Sequence, residues 1–127
     1  MHGFFFYRAI LIYVALTVLS VWLFRKNRKT VYRGGGAMNL LEEFQNYGLS
    51  KTSMYIVGTI KIITAILLLC GLYFDFLVFP AAAVMALFML AAIYFHLKIQ
   101  DPFVSIIPSL LMFFLCISLI AIHFLFF

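Results

Sequence analysis

Charged residues are scarce in this chain: 10% of its 127 positions are Asp, Glu, Lys or Arg, where soluble domains carry about a quarter. Carboxylates are scarcer still. The four present, Glu42, Glu43, Asp75 and Asp101, all stand outside the long apolar runs. That excludes a pair of intramembrane carboxylates working as acid and base. Cysteine is limited to Cys70 and Cys116 with no C-x-x-C, so a membrane thiol oxidoreductase would lack its exchange motif. Cys70 is also half a helical turn out of phase with Lys61, so the two cannot both face one bundle centre. His2, His96 and His123 are scattered and never at ligand spacing, and no metal is expected. There is no G-x-S-x-G. The Gly34–Gly36 run precedes neither a strand nor a Gly-Lys-Ser, and reads as a flexible linker. The first apolar run lacks the basic start and small-residue cleavage site of a signal peptide, and reads as a retained anchor.

What the sequence has in abundance is apolar surface. Two thirds of it is hydrophobic (67%), with sixteen Phe and seven Tyr. A water-soluble protein of this length has too little interior to hide so much aromatic area. Lipid is therefore the expected solvent, and helices that satisfy their own backbone hydrogen bonds are the expected elements. The fold class is all-α: a polytopic membrane protein, one domain over 1–127, built as a four-transmembrane-helix bundle.

A span needs roughly 20 mostly apolar residues, and four runs qualify, at about 4–24, 53–74, 77–97 and 102–127. The first stops at Arg25-Lys26-Asn27-Arg28-Lys29. In the connector that follows, Asn39 to Tyr47 reads as a short amphipathic helix lying along the membrane surface: Asn39 caps it, Glu42 stands three residues on, and Leu40, Leu41, Phe44 and Tyr47 share a face. Ser50 and Thr52 are capping-type residues before the second span. Asp75 marks a tight turn, Pro80 occupies the first turn of the third span, and Asp101-Pro102 reads as cap and first-turn proline of the fourth, with Pro108 as a kink.

The formal charge of +5 does not point to nucleic acid, because most of it lies in one run beside a span, where basic residues set topology. Arg25, Lys26, Arg28, Lys29, Arg33 and Lys51 fall in the first connector and Lys98 in the third, against Arg8 near the other end. Connectors 25–52 and 98–101 are thus expected to be cytoplasmic, and both termini on the far side.

Lys61 is the most informative residue. It stands about 12 Å inside the second span if that span begins at Ser53, where a charge is costly unless it snorkels or finds a partner. Gly58, Lys61, Ala65 and Leu68 share a face whose small members favour close packing, which points Lys61 inward. Ala82, Ala86, Met89, Ile93 and His96 form a matching stripe on the third span. Lys61 and His96 are expected to approach within the inner leaflet, with Glu43 or Asp101 as counter-charge. Taken separately, Asp101 reads as a helix cap and Glu43 as a solvated residue of the surface helix. Ser105, Ser109, Met112, Cys116 and His123 form a polar stripe on the fourth span, and Tyr13, Thr17 and Ser20 a weaker one on the first. Both point toward other helices.

The stretch Tyr47-Gly48-Leu49-Ser50, then Gly58-Thr59-Ile60-Lys61-Ile62 with Ala65 and Leu67-Leu68-Leu69-Cys70-Gly71-Leu72, resembles the second-span signature of DoxX-like membrane proteins. Met89-Leu90-Ala91-Ala92-Ile93-Tyr94-Phe95-His96, then Asp101-Pro102 and Pro108, resembles their third and fourth spans. The resemblance covers about 44–115. The basic run departs from it, replacing a Gly-containing ending with a Lys-Leu pair. The resemblance implies a compact four-helix bundle and marks Lys61 and His96 as family-type positions. It associates such chains with membrane-anchored redox assemblies, some quinone-linked, and with receptor assembly.

The leading expectation is an accessory, assembly or anchoring subunit for a membrane or membrane-attached redox complex, in the bacterial inner membrane. Its partners would be the bilayer and another membrane protein or a second copy of itself. No catalytic residues are recognised, and the reading leans away from an enzyme. A different class is a lipophilic-ligand or quinone-binding protein with a pocket near Lys61 and His96; no cofactor is evident beyond that quinone. A small transporter is the third, disfavoured because no carboxylate lies in a span to couple protons.

Overall fold

Each long apolar run is built around one helix because in hydrocarbon the backbone must satisfy its own hydrogen bonds. A computed structural model describes residues 2–28, 30 and 32–126. Lys29 of the basic run and Phe127 of the last expected span lie outside the described residues, and so do the side chains of His2 and Phe4. The helices are α1 (His2–Leu19), α2 (Leu40–Asn46), α3 (Lys51–Cys70), α4 (Val78–Lys98) and α5 (Phe103–Phe126), with no strand among the described residues. Four segments are long and apolar enough to cross a membrane: Phe5–Phe24, Lys51–Cys70, Asp75–Lys98 and Phe103–Phe126. At 1.5 Å per residue the shortest reaches about 30 Å, the thickness of a hydrocarbon core.

The long helices close a ring. α1 packs on α3 and α5, and α4 packs on α3 and, most extensively, on α5. Small residues make the α4 seam: Ala81, Ala82, Ala86 and the flexible Met85 and Met89 are buried against the rest of the core. The outside of the ring is as apolar as the inside. Leu87, Phe103 and Phe114 are each more than half exposed, far beyond the apolar patch a soluble monomer tolerates. This is an integral membrane protein.

Cap chemistry sets the ends of α3 and moves them from the sequence expectation. The Ser50 hydroxyl accepts the Ser53 N–H at 3.1 Å, so the helix begins at Lys51. It ends at Cys70, where the expectation ran on to Phe74. Beyond Gly71 the chain turns through Tyr73 and Phe74 into a single 3-10 turn, Asp75–Leu77. A β-carbon on Gly71 would lie 2.5 Å from Val78, so this glycine lets the turn fold tightly against the start of α4.

Two local features arrange the opposite end of the ring, where the first and third connectors meet. α1 passes into a π-helical turn, Ser20–Phe24, closed by the Arg25 N–H on the Ser20 carbonyl at 2.9 Å. Such bulges re-aim side chains and are frequent at functional sites; here Trp22 is turned inward and buried. The second feature is α2. Asn39 caps it through the Glu42 N–H at 2.8 Å, and Leu40 and Phe44 enter the core.

Gly58 is the meeting point of α3 with the π turn. A β-carbon there would fall 2.5 Å from the Trp22 ring, so the small residue makes room for an indole. Gly58→Leu is expected to cost about 1–3 kcal/mol through overpacking and to shift the emission of Trp22, the one tryptophan of the chain. Thermal unfolding in detergent and intrinsic fluorescence check it; an unshifted spectrum would contradict this contact.

Candidate functional site

The connector between α1 and α2 folds back over the helix ends because Arg33 holds it there. The buried guanidinium donates to the Arg25 carbonyl at 2.6 Å and to the Arg28 carbonyl at 3.2 Å, and stands 3.6 Å from Glu43. Burial pulls its pKa below the ordinary arginine value, and Glu43 works against that pull. Glu43 also accepts the backbone N–H of Gly34. The expectation that Glu43 is a solvated residue is thus corrected: its carboxylate turns into the protein, because α2 is anchored by Leu40 and Phe44 on either side of it.

Gly34–Gly36 form a 3-10 turn, not a loose linker. Gly34 sits where a β-carbon would clash with the Tyr47 ring, and Gly35 and Gly36 have φ of 66° and 71°, which glycine adopts without strain. The Asn46 amide donates to the Gly34 carbonyl at 3.0 Å, and the Gly35 N–H donates to Asp101 Oδ1 at 2.9 Å. One turn of glycine backbone therefore links the two carboxylates.

Asp101 is corrected as well. Its side chain is buried although its backbone is not, and its bonds run to Gly35 and to His96 Nδ1, at 2.7 Å, with none to the start of α5. A carboxylate accepts, so Nδ1 carries the proton. The Tyr47 hydroxyl lies 3.3 Å from both ring nitrogens. With Nδ1 committed to Asp101, Nε2 is the one of the two able to accept from it, and the Glu43 carboxylate is a second acceptor for the same hydroxyl. Tyr47 is fixed by rings: it stacks on Phe95 at 5.2 Å between centroids and meets His96 edge-on at 5.7 Å. Burial first, then the negative charges of Glu43 and Asp101, push its pKa up from the ordinary phenol value, so it remains a neutral O–H.

Beneath this polar cover lies a cavity of about 590 Å³, bounded by all four long helices and by α2. Lys61 lines it. Its ammonium stands 5.6 Å from the centre of the Trp22 ring and 5.5 Å from that of Phe88. No carboxylate of the described residues comes within 4 Å of it, although the field of Glu43 reaches it. With α3 starting at Lys51, Lys61 lies ten residues in, about 15 Å along the axis and deeper than the sequence suggested. Insertion at such depth costs about 3 kcal/mol, and two ring faces at roughly 0.5–2 kcal/mol each offset much of it. The ammonium is held in the protein, facing the cavity.

The stripes converge on the same space. Ser105, Ser109 and Met112 of α5 line the cavity, as do Tyr13 and Thr17 of α1. Pro108 lines it too, and its missing N–H leaves the Val104 carbonyl without that helical donor. Cys116 is buried deeper in the bundle and Cys70 is half-buried, both as free thiols. Gly58, Ala65, Ala82 and Ala86 are buried as packing residues. Lys61 and His96 border one cavity, but no direct bond joins them; His96 is engaged by Tyr47 and Asp101. Sequence reasoning missed Trp22, Arg33 and Phe88 as site residues. Only Trp22 carried a signal, as a lone tryptophan at a span end.

Compared with known families, the chain is matched by the model of the DoxX-like family over residues 9–119. That range takes in all of α2, α3 and α4 and most of α1 and α5. No curated protein and no solved structure matches it.

Proposed function

The chain belongs to the DoxX-like family, and from that premise we propose that it is a membrane-embedded binding subunit. It takes a lipophilic molecule by its polar head in the cavity beside Lys61 and presents it to a membrane-attached partner. The sequence alone ranked the accessory role above ligand binding. The observation that reverses the order is the cavity itself: about 590 Å³, within the range of ligand pockets, with an ammonium facing it. The accessory role persists in the division of labour. Among the described residues no serine of the cavity is hydrogen-bonded to a base, so in this reading chemistry on the ligand falls to the partner, and a quinone is the ligand class suggested by the family resemblance.

Orientation supports the same reading. The Gly35–Asp101 bond brings the first and third connectors to one end of the ring, and these two hold nearly all the basic residues. The positive-inside tendency favours the cytoplasmic side for that end of the bundle.

The test is extraction of the native protein and of Lys61→Met in mild non-ionic detergent, followed by mass spectrometry of what each carries. One lipophilic class is expected near stoichiometry on the native chain and about tenfold depleted, or 1.4 kcal/mol weaker, on the variant. Lys61→Met is expected to unfold no earlier than the native chain, because it removes a charge from hydrocarbon. If both carry the same lipids in the same proportions as the bulk membrane, the reading fails.

A further inference from the structure

The charges around the cavity narrow its ligand, and the inference rests on the reading just given. Three fixed cations line it, Arg25, Arg33 and Lys61, against one carboxylate, Glu43. Glu43 is spent on Arg33 at 3.6 Å and on the Gly34 N–H. Asp101 does not line the cavity and is bonded to His96 and Gly35. Two cations are therefore left over. Lys61 rests on two ring faces, an arrangement that leaves its N–H donors without an anionic acceptor. Arg25 has its Nε buried with no hydrogen-bond partner, and a buried donor without an acceptor is rare in a finished structure.

The geometry points to an amphiphile with an anionic head, a phosphate or carboxylate on an alkyl chain, whose head seats between Lys61 and Arg25. A charged acceptor supplies what both cations lack, and charge-assisted bonds are about twice as strong as neutral ones. A quinone carbonyl would satisfy one donor and leave the excess positive charge uncompensated. The chain would follow the apolar part of the cavity wall, along Val21, Leu111 and Met112.

Trp22 makes this measurable, because it is the one tryptophan and its ring carries the Lys61 ammonium. Purified full-length protein in lipid-free, non-ionic detergent would be titrated with hexadecyl phosphate, hexadecanol, inorganic phosphate and a short-tailed ubiquinone, with Trp22 emission as readout. Hexadecyl phosphate is expected to saturate at a concentration at least about tenfold below hexadecanol. Lys61→Met should remove that preference, and Lys61→Arg, which keeps the charge, should retain it and control for folding. Arg25→Gln should reduce it. Equal binding of the alcohol and the phosphate overturns the inference. So does saturation by inorganic phosphate at the same concentration, which would make the ligand a free anion. Binding of the ubiquinone alone overturns the anionic head and leaves the binding-subunit reading standing. No response to any of the four overturns both.

Discussion

Asp101→Ala is expected to lower the stability of the protein by about 1–3 kcal/mol, the range for leaving a buried hydrogen-bonding group without its partner. The reason is that one side chain closes the connector end of the bundle. Its two oxygens take the His96 imidazole at 2.7 Å and the Gly35 N–H at 2.9 Å; alanine leaves the buried imidazole without its acceptor and releases the exposed Gly35 N–H to water. The damage should be local to that end. Amide exchange is expected to speed up over Gly34–Gly36 and the start of α5 while the α4–α5 seam near Ala82 stays protected. Asp101→Asn should cost less, since its amide oxygen can still accept from one of the two. An alanine variant as stable as the native chain would show that the two connectors are held together by something other than this bond.

Glu43→Leu carries a larger penalty for a different reason. It removes the one carboxylate near a buried guanidinium, and breaking a buried pair from one side costs about 3–5 kcal/mol. Arg33 would retain its bonds to the Arg25 and Arg28 carbonyls, but with its charge uncompensated it should pull toward water and draw the connector off the cavity. The double variant Arg33→Met with Glu43→Leu separates charge from shape. The double variant leaves no buried charge unpaired, though it also gives up the Arg33 bonds to two carbonyls, so it is expected to cost less than the sum of the two single changes. Chemical unfolding of the three variants in detergent forms a double-mutant cycle, and simple additivity of the two single changes would contradict the pairing.

These two side chains also mark how far the sequence could be read. The helices were legible, because a span of apolar residues in lipid has one way to satisfy its backbone, and the caps at Asn39 and Ser50 act within four residues of themselves. The inward faces were legible too. The stripe through Gly58 and Ala65 and the stripe through Ala82, Ala86 and His96 are buried as their spacing requires. Glu43 and Asp101 were misread as solvated residue and cap because both readings used only neighbours in sequence. The partners that decide their roles, Arg33, Gly35 and His96, come from other segments. The end of α3 was misplaced for a related reason, since Gly71 turns against Val78, beyond the helix.

By itself the sequence determined the solvent, the number of crossings and the faces that α3, α4 and α5 turn inward, since hydropathy and period belong to single segments. On α1 the buried face runs through Leu11, Val14 and Val18, and Tyr13 of the expected stripe is half exposed. Which polar groups meet was decided only when the ring closed. The glycine turn reached across to Asp101, Gly58 admitted the indole of Trp22, and Lys61 came to rest on two rings above a cavity. Those contacts join residues far apart in the chain, and the pairing of such groups depends on distances that no periodicity encodes.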